Sequence, residues 1–96
     1  MIRLFIFNVS ISTILIMDIL RYRFGKAVRR LRLAAGYSQE AFADHAKVHR
    51  TYMGTVERGE VNLTLENVEK LANALGLSTW ELLKEADATP ELQATS

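Results

Sequence analysis

The chain has 96 residues, enough for one compact domain, and no cysteine, which excludes a disulfide framework and a thiolate metal site. The net charge is +1, but the charged residues are unevenly distributed along the chain. Residues 1–50 carry nine Lys or Arg against three Asp or Glu, whereas residues 57–91 carry three Lys or Arg against eight Asp or Glu. A basic half joined to an acidic half is typical of a protein that turns one face to an anionic partner.

Residues 1–17 form an apolar N-terminal extension that differs from the rest of the chain. Its uncharged stretch is too short for a transmembrane helix and is diluted by polar residues. Apolar and polar residues alternate over residues 7–12, which favours a β-strand that would need a partner strand. A second interpretation stays open, in which translation begins at Met17 and residues 1–16 are an over-extended reading frame.

Residues 18–85 predict an all-α, five-helix domain, and its first helix carries most of the positive charge. One apolar stripe recurs every three or four positions: Leu20, Phe24, Val28, Leu31 and Ala35. The residues between them include six cations and no acid. Gly36 is expected to end this helix.

Two short helices follow, over about residues 39–46 and 50–58. Ser38 is a good N-cap for the first of them, and His49 can cap the second. The apolar side of the first comprises Ala41, Phe42 and Ala46. Two short helices joined by three or four residues predict a helix-turn-helix, in which the second helix enters the major groove of DNA.

The outward side of this second helix is therefore the informative one. Met53 and Val56 are spaced to face inward. The outward positions are then Arg50, Thr51, Gly54, Thr55 and Arg58, with Tyr52 at the edge. Arginine can fork onto guanine O6 and N7, threonine offers a hydroxyl and a methyl to base edges, and tyrosine can hydrogen-bond a phosphate.

The acidic part of the chain predicts two more helices. Thr64 is expected to cap the fourth helix, whose predicted core residues are Leu65, Val68, Leu71, Ala72 and Leu75. Ser78 and Glu81 form a capping box that opens the fifth helix. From residue 86 onward the chain has little apolar content and contains a proline, so residues 86–96 are expected to be a mobile tail.

Three runs in this domain resemble the Cro/CI-like (XRE-type) helix-turn-helix regulators, whose fold is lambda-repressor-like. They are FGKAVRRLR from Phe24, YSQEAFA from Tyr37 and HRTYMGTVERG from His49. Within that family, the combination of RTY, ER and NLT is most similar to the controller proteins of restriction–modification systems, which are small dimeric regulators of paired palindromic sites.

The resemblance implies roles for particular residues. Gln39 would contact a phosphate, Glu57 would be structural, and the fourth and fifth helices would build the dimer. The residues expected to read bases are Arg50, Thr51 and Thr55. The residues expected to bind phosphates are Ser38, Gln39, Lys47, His49, Tyr52, Asn62 and Thr64. The residues expected at the dimer interface are Leu75, Leu77, Trp80 and Leu83.

Two features depart from the family's usual pattern. Lys47 stands where the family has glycine in the turn, and a non-glycine residue with positive φ costs on the order of 1 kcal/mol. The apolar extension of residues 1–17 is absent from the usual members, so the dimer geometry need not carry over unchanged.

The leading expectation is a cytoplasmic homodimer that binds double-stranded DNA at a near-palindromic operator and regulates transcription. A phage-like repressor and the antitoxin of a toxin–antitoxin pair stay open within that class. From another class, a protein-interaction module without specific DNA reading, held at a membrane by residues 1–16, also stays open. We expect no enzyme activity, cofactor or membrane partner, and no metal, since His45 and His49 lack a third ligand.

Overall fold

The computed structural model describes residues 15–90 with their side chains. Five helices follow one another: α1 (Ile2–Ala34), α2 (Gln39–Ala46), α3 (Arg50–Glu57), α4 (Leu65–Ala74) and α5 (Thr79–Asp87). The predicted all-α, five-helix fold is therefore confirmed, and the part of the chain that is described contains no strand. Residues 7–12, where a strand was expected, lie within these bounds of α1 but before the residues described with their side chains, so the strand stays a prediction.

Polar caps start the four shorter helices where the sequence predicts them. The Ser38 hydroxyl accepts from the Ala41 N–H at 3.0 Å, and the Thr64 hydroxyl accepts from the Asn67 N–H at 3.1 Å. At α5 the capping box is complete, because Ser78 and Glu81 each bond the other's backbone N–H. These bonds satisfy N–H groups that have no partner inside their own helix.

The turn between α2 and α3 contains the positive φ that the family resemblance implied. Lys47 has φ 62° and ψ 43°, in the left-handed region, and ends α2. Its N–H donates to the Asp44 carbonyl, and the next N–H, from Val48, donates to the Ala43 carbonyl. These bonds satisfy carbonyls at the end of α2. The next helix begins at once, because the His49 ring nitrogen Nδ1 accepts from the Thr51 N–H at 3.1 Å.

All five helices contribute to the core, and α1 packs against both α3 and α5. Its largest fully buried side chains are Phe42, Met53, Leu71, Leu82, Val28 and Val56. Gly25 lets α1 approach α3 closely, since a Cβ there would lie 2.4 Å from the Val56 carbonyl oxygen and 2.9 Å from that of Glu57. No other residue fits between these two backbones without displacing one of them.

Periodicity misplaces several apolar residues at helix ends. Leu65 was expected in the core but is 79% exposed, because it is the first residue of α4 and the buried stripe starts one turn later at Val68. Leu20 and Ala35, at the two ends of the predicted α1 stripe, are also exposed. In α2, Ala43 and Ala46 are buried, while Ala41 faces solvent.

The first and fifth helices extend beyond the limits that the sequence predicts. Residues 15–17 are helical and continue α1 before residue 18, with no glycine or proline to stop it. At the other end, α5 runs to Asp87 rather than ending at residue 85, because Ala86 is buried in the core cluster. Within the described residues, no helix has both the length and the hydropathy needed to cross a bilayer.

Candidate nucleic-acid interface

The two faces of α3 differ as the sequence predicts. Met53 and Val56 are buried, at 0% and 1% exposure, whereas Arg50 and Thr51 stand exposed at the start of the helix. Thr55 is half-buried, and its hydroxyl donates to the Tyr52 carbonyl at 2.7 Å. Of the three residues expected to read bases, two are therefore fully open, and the third offers a methyl and an oxygen already held in place.

An exposed ion pair connects α3 to α2. Arg50 Nη1 lies 3.1 Å from Glu40 Oε2, and both side chains are largely in solvent. A pair of this kind contributes between about zero and 1 kcal/mol, because water screens it and two long side chains must be ordered. The guanidinium is therefore held loosely and can exchange its carboxylate for another acceptor.

A second pair, Arg32 with Glu57, is buried where α1, α2 and α3 meet. Arg32 Nε lies 2.6 Å from Glu57 Oε2, and its Nη2 lies 3.0 Å from Oε1. Arg32 Nη1 also donates to the Tyr37 carbonyl at 2.8 Å. Gln39 completes the cluster, since its Nε2 donates to Glu57 Oε1 at 3.1 Å. This geometry gives Glu57 the structural role that the resemblance implied.

Arg32 is one of the six cations that lie between the apolar positions of α1, and its burial was not predicted. A signal was available, because Phe24, Val28 and Arg32 are spaced four apart and share one helix face. Phe24 and Val28 are core residues, so the third member of that row must face inward too. An inward arginine needs a buried acceptor, and Glu57 supplies it.

Gly54 was expected on the outward face of α3 but is buried. A Cβ there would lie 3.1 Å from Arg58 Nη1 and 3.7 Å from Gln39 Oε1. The Arg58 side chain thus folds back over the glycine, and its Nε pairs with Glu60 at 2.9 Å. The side chains of Arg58, at the end of α3, and of Gln39, at the start of α2, cover this position.

The residues expected to bind phosphates occupy two places. Ser38 and Gln39 start α2, and Lys47 and His49 flank the turn before α3, so these four lie on the helix-turn-helix itself. The other three are Tyr52, within α3, and Asn62 and Thr64, in the segment that follows α3.

Asn62 lies against α1, where its Oδ1 accepts from Arg21 Nη2 at 2.5 Å. Thr64 uses its hydroxyl oxygen to cap α4. The hydroxyl oxygen of Tyr52 is buried beside the Asn67 side chain, and burial raises the pKa of this phenol above its usual value, an effect that Asn67 partly offsets. In this conformation the Tyr52 hydroxyl cannot reach a phosphate.

The residues expected at a dimer interface differ in exposure. Trp80 is 70% exposed and Leu83 is 39% exposed, while Leu75 and Leu77 are half-buried against the core. Large apolar side chains left in water are typical of an interaction surface. Across the described part of the chain, no group of three or more metal-ligating side chains comes together.

Comparison with known proteins agrees with this geometry. A family model described as a helix-turn-helix domain matches residues 23–85. The chain belongs to this family. The matched part begins within α1 and ends within α5, so it contains the whole cluster around Glu57 and the exposed start of α3.

Individual relatives show that the chain is similar to XRE-type regulators. The control protein C.BamHI of Bacillus amyloliquefaciens is 43% identical over 65 residues, which cover 67% of this chain and 80% of that protein. The control protein C.MunI of a Mycoplasma species is 35% identical over 72 residues, covering 74% and 97%. The crystal structure of the restriction–modification controller protein C.AhdI from Aeromonas hydrophila superposes with a TM-score of 0.62 at 45% identity, covering 65% of this chain and 94% of that one.

Proposed function

We propose that this chain is a dimeric, sequence-specific DNA-binding regulator of transcription, and within that class the controller protein of a restriction–modification system. One observation carries the proposal: Arg50 and Thr51 stand exposed at the start of a helix whose other face is locked into the core. The relatives named as control proteins support the more specific assignment.

In this proposal α3 enters the major groove and α2 lies across the backbone. Arg50 exchanges Glu40 for the O6 and N7 acceptors of a guanine, at little cost because the ion pair is exposed. Thr51 and Thr55 contact neighbouring base edges. Phosphate contacts from Ser38, Gln39, Lys47 and His49 fix the position of α3, while the base contacts choose the sequence.

We propose that the dimer forms through α4 and α5, with Trp80 and Leu83 at its centre and Leu75 and Leu77 behind them. Two copies of α3 would then lie about one turn of DNA apart, ~34 Å, so the operator would be a near-palindrome. The protein would act in the cytoplasm, where its DNA is.

The test is a selection of random duplex DNA by the purified full chain, run at two salt concentrations beside the form that begins at Met17. We expect a motif with two-fold symmetry, and a difference between the two forms would assign a role to residues 1–16. Recovery of no motif, with only weak salt-sensitive binding, would contradict the proposal and favour the protein-interaction module.

Gene order separates the regulators within the class. A restriction endonuclease or methyltransferase gene beside this one would support a controller protein. A lysogeny gene or a toxin gene in that place would instead support the phage-like repressor or the antitoxin.

A further inference from the structure

We propose that a basic cleft between α1 and α3 binds a DNA backbone phosphate through Lys26 and Arg29. The cleft has a volume of about 530 Å³. Lys26 and Arg29 of α1 line one side, and Gly54 of α3 and Arg58, the residue that follows α3, line the other. Gln39, at the start of α2, also lines it, so all three helices that meet at the buried ion pair contribute to this one cleft.

The two acids of the cleft are already neutralised. Glu57 is paired with Arg32 beneath the floor, and Glu60 is paired with Arg58 at 2.9 Å. Each carboxylate therefore has its own guanidinium, and neither is needed to balance a charge on α1. The positive charges of Lys26 and Arg29 on α1 are therefore not balanced by an acid of the cleft.

Neither α1 cation has an acidic partner among the described residues. Lys26 Nζ lies 5.3 Å from the centre of the Tyr22 ring, a cation–π contact that orients the ammonium without neutralising it. The Arg29 side chain is exposed and makes no hydrogen bond or ion pair within residues 15–90. Lys26 and Arg29 are three apart on the helix, so they point the same way.

The surroundings of the cleft identify its ligand as DNA phosphate. Its far wall is the carboxyl-terminal half of α3, the helix proposed to read bases. When α3 lies in the major groove, a DNA strand would therefore pass beside the cleft. The lining is mostly charged and polar, which suits a phosphodiester and not an apolar ligand. The inference rests on the proposed function, because the phosphate belongs to the DNA that α3 contacts.

The experiment uses the full chain and the double variant Lys26→Ala with Arg29→Ala. The matched control is Arg30→Ala, because Arg30 is the next residue of α1 but faces α5, where its Nη2 pairs with Glu85 at 2.8 Å. Dissociation constants are measured for the selected duplex and for a duplex of scrambled sequence over a range of salt concentrations. Circular dichroism establishes that each variant is folded.

We expect the double variant to lose about tenfold in affinity for both duplexes, and the slope of log K against log salt to fall in magnitude by about 1 for one phosphate contact. Arg30→Ala should keep the wild-type slope, and Arg29→Lys should keep most of it because the charge stays. A double variant with the wild-type slope, or a control that loses as much as the double variant, would overturn the inference. Wild-type protein that does not distinguish the two duplexes would instead contradict the proposed function.

Discussion

Two of the arginine–glutamate pairs in this molecule differ in their access to water. Arg32 and Glu57 meet at 2.6 Å where α1, α2 and α3 join, both less than 10% exposed. Arg50 and Glu40 meet at 3.1 Å on the surface, with side chains 65% and 75% exposed. The same chemical pair therefore fixes a shape in one region and leaves a side chain free to change partner in the other.

The buried pair also holds α3, which carries the exposed Arg50, in position against α2. Glu57 accepts from Gln39, the first residue of α2, while Glu57 itself ends α3. The angle between the two helices of the helix-turn-helix is thus tied to α1 through one carboxylate. Substitutions in the buried region should change the stability of the fold, and substitutions on the exposed face of α3 should change DNA binding.

Glu57→Gln should have the largest effect on folding. Removing one charge of a buried pair leaves the other uncompensated, so we expect the free energy of unfolding to fall by about 3–5 kcal/mol. Denaturant titration measures this. Glu60→Gln is the matched control, because it breaks an exposed pair and should change stability by less than about 1 kcal/mol. Equal effects of the two substitutions would contradict the contrast between the regions.

Gly25→Ala should come next, because the added Cβ would meet backbone on α3 and could not be relieved by a side-chain rotation. Overpacking of this kind costs about 1–3 kcal/mol. Gly54→Ala is the contrasting substitution: its neighbour is the flexible end of Arg58, so a gain of up to about 1 kcal/mol from helix propensity is expected. Thermal unfolding of both variants should therefore shift in opposite directions, and a loss of stability in Gly54→Ala would show that Arg58 cannot move.

Lys47→Gly should have a smaller effect, in which the stability of the fold rises and the affinity for DNA falls. Glycine relieves the positive φ at this turn, so stability should rise by up to about 1 kcal/mol. Loss of the cation should weaken binding to all duplexes alike and lower the salt slope. Measuring unfolding and binding on one preparation checks both. Weaker binding confined to one sequence would show that Lys47 reads a base.

Much of this architecture could be predicted from local sequence, because caps and turn residues act over a few positions. Ser38, His49, Thr64 and Ser78 begin helices as predicted. The orientation of α3 follows from the spacing of Met53 and Val56. Each of these signals lies within one helix or one turn.

The remaining features depend on contacts between helices. Periodicity shows that Gly54 faces away from Met53, but not that Arg58 folds over it. It places Tyr52 at the edge of α3, but not its hydroxyl beside Asn67 of the next helix. The close approach at Gly25 is likewise a property of two backbones, which no single run of residues reveals.

The most direct test of the account is the sequence preference of Arg50→Ala. Binding of this variant and of the wild type would be measured on the selected operator and on every single-base-pair change of it. We expect a loss of about 1–3 kcal/mol on the operator, relaxed preference at one base pair in each half-site, and an unchanged free energy of unfolding. Unchanged affinity and preference would contradict the assignment of α3 as the helix that reads DNA.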